Sequence, residues 1–194
     1  MLLHCGRLSP EKKPERSLAA LAELRRRGVP AQLVVIGSGP RRPALEARAR
    51  RAGLPVRFVP FVHDRDQLAA LLATADVMIA PGPVETFGLA ALESLASGTP
   101  VVVSAESALP EVVGEAGLAA PGEGAGYADA VLELALRTDR REAARRRAER
   151  FPWSAAVDGF LAAHGVPVRA GIDAGPSSPA YSEKMGLDSP TSMR

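Results

Sequence analysis

Two carboxylates, Glu85 and Glu93, interrupt an otherwise apolar stretch, PGPVETFGLAALESLASGTPVVV, between Pro81 and Val103. Eight residues, mostly helical by pattern, separate them, which is about 10 Å at a rise of about 1.5 Å per residue. A hydrolase that retains configuration needs its acid pair about 5–5.5 Å apart, and an inverting pair could just reach. The spacing better suits two grips on one extended ligand. A carboxylate accepts two hydroxyl hydrogen bonds at once, so each acid fits a vicinal diol such as a ribose or a hexose. Between them, "PGPVET" reads as a stiff turn. Thr86 is placed to cap a helix starting near Phe87. Gly88, in its first turn, leaves backbone N–H groups open to an anion. An anion site between two diol readers describes a nucleotide-sugar with its diphosphate in the middle. Spacing alone leaves a second reading open, in which Glu85 is a loop acid and Glu93 a surface acid.

The stretch "GRLSPEKKP" supplies cations. Arg7 directly follows Gly6, and Lys12 comes five residues after Arg7. Arg offers phosphate a planar fork and Lys a point charge. Two cations at a diphosphate can neutralise a leaving group in place of a metal. Lys12 and Lys13 also fit a solvated loop. No Asp-x-Asp and no His or Cys cluster is read as offering itself to a metal. "GSGP" lacks the third glycine of a dinucleotide fingerprint, Arg42 standing in its place, and reads as a turn. His4 and His63 read as structural or exposed, and His164 has no visible partner. There is no Gly-x-Ser-x-Gly elbow for hydrolase chemistry. The single cysteine, Cys5, excludes an internal disulfide and reads as a buried structural thiol.

Alternating short apolar runs and helical patterns must hold these residues. Strands are predicted at "MLLHC", "AQLVVIG", "VRFV", "DVMIA", "PVVVS" and "GLAA". Helices fall between them, one with Asp64 as cap and Gln67 three residues on. That alternation predicts an α/β fold, a doubly wound parallel, Rossmann-like sheet with helices on both faces. Ligands of such sheets bind beyond the carboxyl ends of the strands. With 194 residues, 46% of them hydrophobic, the chain can bury a real core. A net charge of +2 is too small to imply nucleic acid. "RTDRREAARRRAER" carries seven Arg but no aromatic to stack a base, and reads as a solvated helix face. No stretch reaches the roughly 20 apolar residues of a membrane span. The apolar start is too short for a signal peptide, so the cytoplasm is expected. Beyond Val168 the Gly-, Pro- and Ser-rich sequence predicts a disordered tail over 169–194.

In order and spacing, "GRLSPEKKP", "LVVIGSGP", "VRFVPFVHDRDQLAALLATADVMIAPGPVETFGLAALESLASGTPVVVS" and "ALPEVVGEAGL" closely resemble the carboxyl-terminal domain of retaining GT-B glycosyltransferases, glycosyltransferase family 4. The resemblance covers roughly Met1 to His164. "FVPFVHDRDQLA" with "PGPVETFGLAALE" looks most like actinobacterial α-mannosyltransferases that use GDP-mannose, including those that build phosphatidylinositol mannosides. The resemblance implies roles. Arg7 and Lys12 would hold the donor diphosphate, and Glu85 would read the sugar hydroxyls; these three form the implied catalytic set. Phe87, Gly88 and Leu89 would offer the helix start to sugar and phosphate, and Glu93 would take the ribose diol. Phe61 and Val62 would flank the base, although Pro60 stands where many relatives have Gly. Gly6 and Thr86 complete the implied donor-binding set. No metal and no resident cofactor is implied. Family members retain anomeric configuration without an established protein nucleophile, the acceptor attacking on the leaving group's own face.

A full GT-B enzyme also has an amino-terminal domain that brings the acceptor site. This sequence starts at the first strand of the second domain, so residues 1–168 are expected to be the nucleotide-sugar half alone. That half would bind donor but not transfer. "FPWSAAVDGFLAAHG" resembles the helix that crosses back onto the first domain; its apolar face would favour self-association or pairing. The implied reaction is hexosyl transfer, from GDP-mannose to a lipid or glycan acceptor, with the full enzyme at the inner face of the membrane. The alternative is a non-catalytic nucleotide-sugar-binding module, or a split subunit that needs a separate amino-terminal domain. An epimerase half fits the motifs less well.

Overall fold

Six short, mostly apolar segments of four residues build the sheet: β1 (Leu2–Cys5), β2 (Leu33–Ile36), β3 (Val56–Val59), β4 (Val77–Ala80), β5 (Val101–Ser104) and β6 (Gly117–Ala120). This computed structural model describes residues 1–166, in a unit from Met1 to Arg150 and a second from Phe151 onward. Every neighbouring pair of strands is parallel, in the order β3-β2-β1-β4-β5-β6. Central strands of a parallel sheet are covered on both faces, which is why their runs are continuously apolar. Leu3, Val77, Met78, Ile79 and the three valines of β5 are fully buried. The chain's winding reverses between β1 and β4, which makes their carboxyl ends the switch point where ligands bind.

Alternation along the strands divides the core. Leu2, Leu33, Val35, Val77, Ile79 and Val102 face α1 (Glu15–Arg26), α2 (Arg42–Arg51) and α6 (Gly124–Leu136). In that layer α1 packs on α6. A second group of helices comprises α3 (Arg65–Thr74), α4 (Leu89–Ala96), α5 (Leu109–Val113) and α7 (Arg140–Ala148), with α4 packed against the other three. The Asp64 side chain accepts the Gln67 N–H at 2.8 Å, capping α3 as the sequence predicts.

The arginine-rich segment corrects a sequence expectation. It is helical, as α7, but much of its charge is not idle in solvent. Arg141 donates to the carbonyls of Ala73 and Ala75, each at 3.0 Å. Arg145 reaches Ala96 at 2.9 Å, and Arg147 reaches Val112 at 2.8 Å and also Glu111. These are end carbonyls of α3, α4 and α5, which have no partner in their own helices. Cations there also meet the negative ends of the helix dipoles. Arg146 keeps the expected surface role, facing Asp139 and Glu142.

In the second unit, α8 (Trp153–Ala163) exposes Trp153, Val157 and Phe160. The tail expected over 169–194 lies outside the described residues. No helix among the described residues is long and apolar enough to cross a membrane.

Candidate functional site

Close backbone approaches shape the carboxyl edge of β1. A Cβ on Gly37 would lie 2.0 Å from the Gly6 carbonyl oxygen, and one on Gly39 would lie 2.4 Å from that of Leu8. The two glycines of "GSGP" therefore let the loop after β2 press against the loop after β1, with Leu8 N–H donating to Ser38 O at 2.9 Å. Next comes a 3-10 turn, Pro10–Lys12, closed by Lys13 in the left-handed region at φ 47°. Gly82, after β4, fits under this turn: a Cβ there would meet Lys12 Cα at 3.2 Å. Loops from β1 and β4 thus face each other, and the Lys12 ammonium donates to the Glu85 carboxylate.

The start of α4 differs from the expectation. The helix begins at Leu89 rather than near Phe87, and Gly88 is its N-cap at φ 70°, outside the first turn. No side chain caps it, so Thr86 does not serve that role. Leu109 packs close to this turn: a Cβ on Gly88 would lie 2.5 Å from Leu109 Cδ2. At φ 70° Gly88 takes a left-handed turn that glycine adopts without a Cβ penalty, and the helix begins after it. Gly88 O accepts from Ala91 and Leu92, which leaves the Leu89 and Ala90 N–H groups as helix-start amides without a backbone acceptor among the described residues.

A cleft of about 560 Å³ lies over β1 and β4, lined by Gly6, Arg7, Lys12 and Glu85 on its polar side. Thr86, Phe87, Gly88 and Leu89 complete it along the α4 start. A second hollow of about 320 Å³ shares Cys5, Gly6 and Arg7 with the first and is flanked by Phe61 and Val62. Of the implied catalytic and donor-binding residues, Glu93 alone lines neither hollow; it is exposed on α4. Its charge is nevertheless felt there. Cys5, partly exposed rather than buried, has its thiol pushed up to about 11, by burial first and by Glu93 second.

His4 also borders the cleft but is closed to solvent. Its Nδ1 lies 3.0 Å from Ser17 Oγ. Burial holds it neutral, lowering its pKa to about 4, with the Ile79 backbone pulling weakly the other way. Among the described residues its Nε2 finds no hydrogen-bond partner of good geometry. Exposed His63 stands edge-on to Phe61, ring centroids 4.8 Å apart.

Sequence reasoning missed Arg16. Only 7% exposed, it donates to Pro81 O at 3.3 Å and Ser104 Oγ at 3.5 Å. It pairs with Glu106 at 3.3 Å and Glu123 at 3.2 Å. Tyr127 donates to the same Pro81 carbonyl at 3.4 Å. Arg16 thus ties the end of the Lys12 loop to the loops after β4, β5 and β6. The signal was present: Arg16, Ala20 and Leu24 fall on one buried face of α1, where an arginine is out of place. Against the sequence expectation of no Asp-x-Asp, Asp64 and Asp66 do have that spacing. No group of three His, Cys, Asp or Glu among the described residues is arranged to hold a metal.

Residues 1–137 match the family model described as "Glycosyl transferases group 1". Over 169 residues the chain is 52% identical to a GDP-mannose-dependent alpha-(1-6)-phosphatidylinositol dimannoside mannosyltransferase of Mycobacterium tuberculosis, covering 86% of this chain and 44% of that protein. It is 39% identical over 184 residues to a D-inositol 3-phosphate glycosyltransferase of Actinosynnema mirum, covering 85% of this chain and 44% of the relative. The chain thus spans less than half the length of these curated relatives. Among solved structures, the sucrose-phosphate synthase of Thermosynechococcus elongatus superposes with a TM-score of 0.71 at 29% identity, over 84% of this chain and 45% of that one.

Proposed function

The chain belongs to the group 1 glycosyl transferases, and on that premise we propose that its Met1–Arg150 unit is the donor-binding half of a retaining hexosyltransferase. The donor is a nucleoside-diphosphate sugar, GDP-mannose, and the acceptor is a hydroxyl of a lipid or glycan. One observation carries this reading: Arg7 and Lys12 converge with Glu85 and the α4 start on one cleft at the β1/β4 switch point. The choice of sugar and base rests on the printed name of the 52% identical mannosyltransferase.

The roles follow from charge and shape. Arg7 and Lys12 take the diphosphate and stabilise the negative charge that builds on it as the sugar leaves, without a metal. The Leu89 and Ala90 amides add the dipole of α4. Glu85 orients the sugar through its hydroxyls. The hollow beside Phe61 and Val62 takes the base, and Glu93 meets the ribose from the rim near Cys5. Transfer further needs an acceptor hydroxyl about 3 Å from the anomeric carbon in a water-poor cleft. Phe87 and Leu89 on the cleft rim are exposed, so another surface must close over them and present the acceptor.

A thermal-shift panel of GDP-, UDP- and ADP-sugars tests the reading. A ligand at 100 times its dissociation constant stabilises by about 2.7 kcal/mol. GDP-mannose is expected to give the largest shift; no shift with any member refutes the donor site. A second reading, a subunit that pairs with a separate amino-terminal partner chain, is favoured by the apolar Trp153, Val157 and Phe160 exposed on α8. Transfer of labelled mannose only after such a domain is added in trans would support it.

A further inference from the structure

Lys12 and Glu85 face each other from the β1 and β4 loops, and neither can drift far. The Lys12 backbone is fixed in its 3-10 turn by the bond from its N–H to Ser9 O at 3.1 Å, and Gly82 packs beneath it. The Glu85 carbonyl accepts from Ala108 N–H at 3.2 Å. Its Cγ lies 3.3 Å from where a Gly88 Cβ would be. The Lys12 ammonium is the hydrogen-bond donor that this carboxylate has among the described residues. Both side chains are about three-quarters shielded, at 27% and 24% exposure, so water only partly replaces a lost partner.

We propose that this ion pair makes the cleft discriminate a nucleoside-diphosphate sugar from the free nucleoside diphosphate. The inference rests on the donor-site reading above, in which Lys12 meets phosphate and Glu85 meets sugar. A diphosphate competes with Glu85 for the ammonium. When it carries a sugar, Lys12 turns to the phosphate while sugar hydroxyls donate to Glu85, and every charge keeps a partner. When the sugar is absent, nothing replaces Lys12 at the carboxylate. The free diphosphate also bears one more ionisable oxygen, so a like charge faces Glu85 across the cleft. Arg7 lines the same cleft and is not part of this exchange. Before transfer Glu85 grips the sugar; after transfer the same carboxylate repels the nucleotide left behind.

Calorimetric titration of the whole chain with GDP and with GDP-mannose tests this, in wild type, Glu85→Gln and Glu85→Ala. The two variants are expected to bind GDP about three- to tenfold more tightly than wild type, the range of a partly shielded ion pair. They are expected to bind GDP-mannose more weakly. GDP affinity that is unchanged or reduced in both variants overturns the exchange while leaving the donor site standing. Failure of wild type to bind either ligand overturns both. Thermal melts of each variant identify any that has not folded, and the other then decides.

Discussion

The Arg16 guanidinium lies 3.3 Å from the Pro81 carbonyl oxygen, across 65 residues of chain. That contact joins the start of α1, just after the Lys12 turn, to the base of the loop that carries Glu85. Two sides of the cleft are therefore tied together beneath it by one buried cation. Arg16→Ala is expected to cost about 2–3 kcal/mol of stability, because the Pro81 carbonyl and Ser104 lose a charged donor. Arg16→Lys, which cannot fork to several acceptors, is expected to keep much of the stability but weaken GDP-mannose binding. Urea unfolding and calorimetry on the two variants check this. Unchanged donor affinity in Arg16→Lys would show that the network supports the fold alone.

Arg7→Ala and Lys12→Ala are each expected to weaken nucleoside-diphosphate-sugar binding by about 1.5–3 kcal/mol, the value of a charge-assisted contact. The loss should shrink at high salt, since screening weakens attraction between partly exposed charges. Titrations at low and high ionic strength decide it; wild-type affinity in both variants would remove these cations from the site.

Glu93 is exposed and lines neither hollow. Glu93→Gln is therefore expected to leave the melting temperature unchanged; on the ribose role proposed for Glu93, it is also expected to weaken ribose-containing donors. Loss of stability with intact binding would instead assign Glu93 to the helix surface.

Gly88→Ala forces a side chain into a left-handed residue at φ 70° and to within 2.5 Å of Leu109 Cδ2. It is expected to destabilise by about 2–4 kcal/mol, strain and overpacking together. In the background of Leu109→Ala the added cost of Gly88→Ala should fall but not vanish, because the backbone strain remains. A double-mutant cycle by chemical denaturation separates the two parts.

His4 supplies a pH dependence. Burial lowers its pKa from 6.5 to about 4, so between those values the unfolded chain binds a proton that the folded chain refuses. Stability from this group is full above about pH 6.5 and is lost as pH falls toward 4. From pH 7 to pH 5 the loss should be about 2 kcal/mol. His4→Asn, which keeps a polar atom near Ser17, should flatten that part of the profile. An identical slope in wild type and variant would place the proton elsewhere.

The central strands were legible because buried parallel strands leave a nearly continuous apolar signature, as in Val77–Ala80 and Val101–Ser104; the edge strand "VRFV" carries an exposed Arg57 and still became Val56–Val59. Asp64 was legible as a cap because its interaction is local. The start of α4 was not, because Thr86 has the chemistry of a cap while the turn actually used is the left-handed one at Gly88, packed against Leu109 from a distant part of the chain. The cleft was mostly foreseeable, since Arg7, Lys12 and Glu85 follow strands whose ends the topology must gather. Their direct pairing was not, because spacing along a chain cannot tell whether two opposite charges await a ligand or hold each other. The arginines of α7 were misjudged for a related reason. Composition reveals a surplus of donors, whereas the carbonyls they satisfy come from three separate helices.

Those arginines set where the chain could be cut. A fragment ending after α6 would keep all six strands and every residue of the cleft. It would also strip Arg141, Arg145 and Arg147 from the ends of α3, α4 and α5, and uncover the surface that buries Ala143 and Ala144. A chain cut on the sheet alone is thus expected to be less stable than one that keeps α7, because the clasp that closes three helix ends lies beyond the last strand.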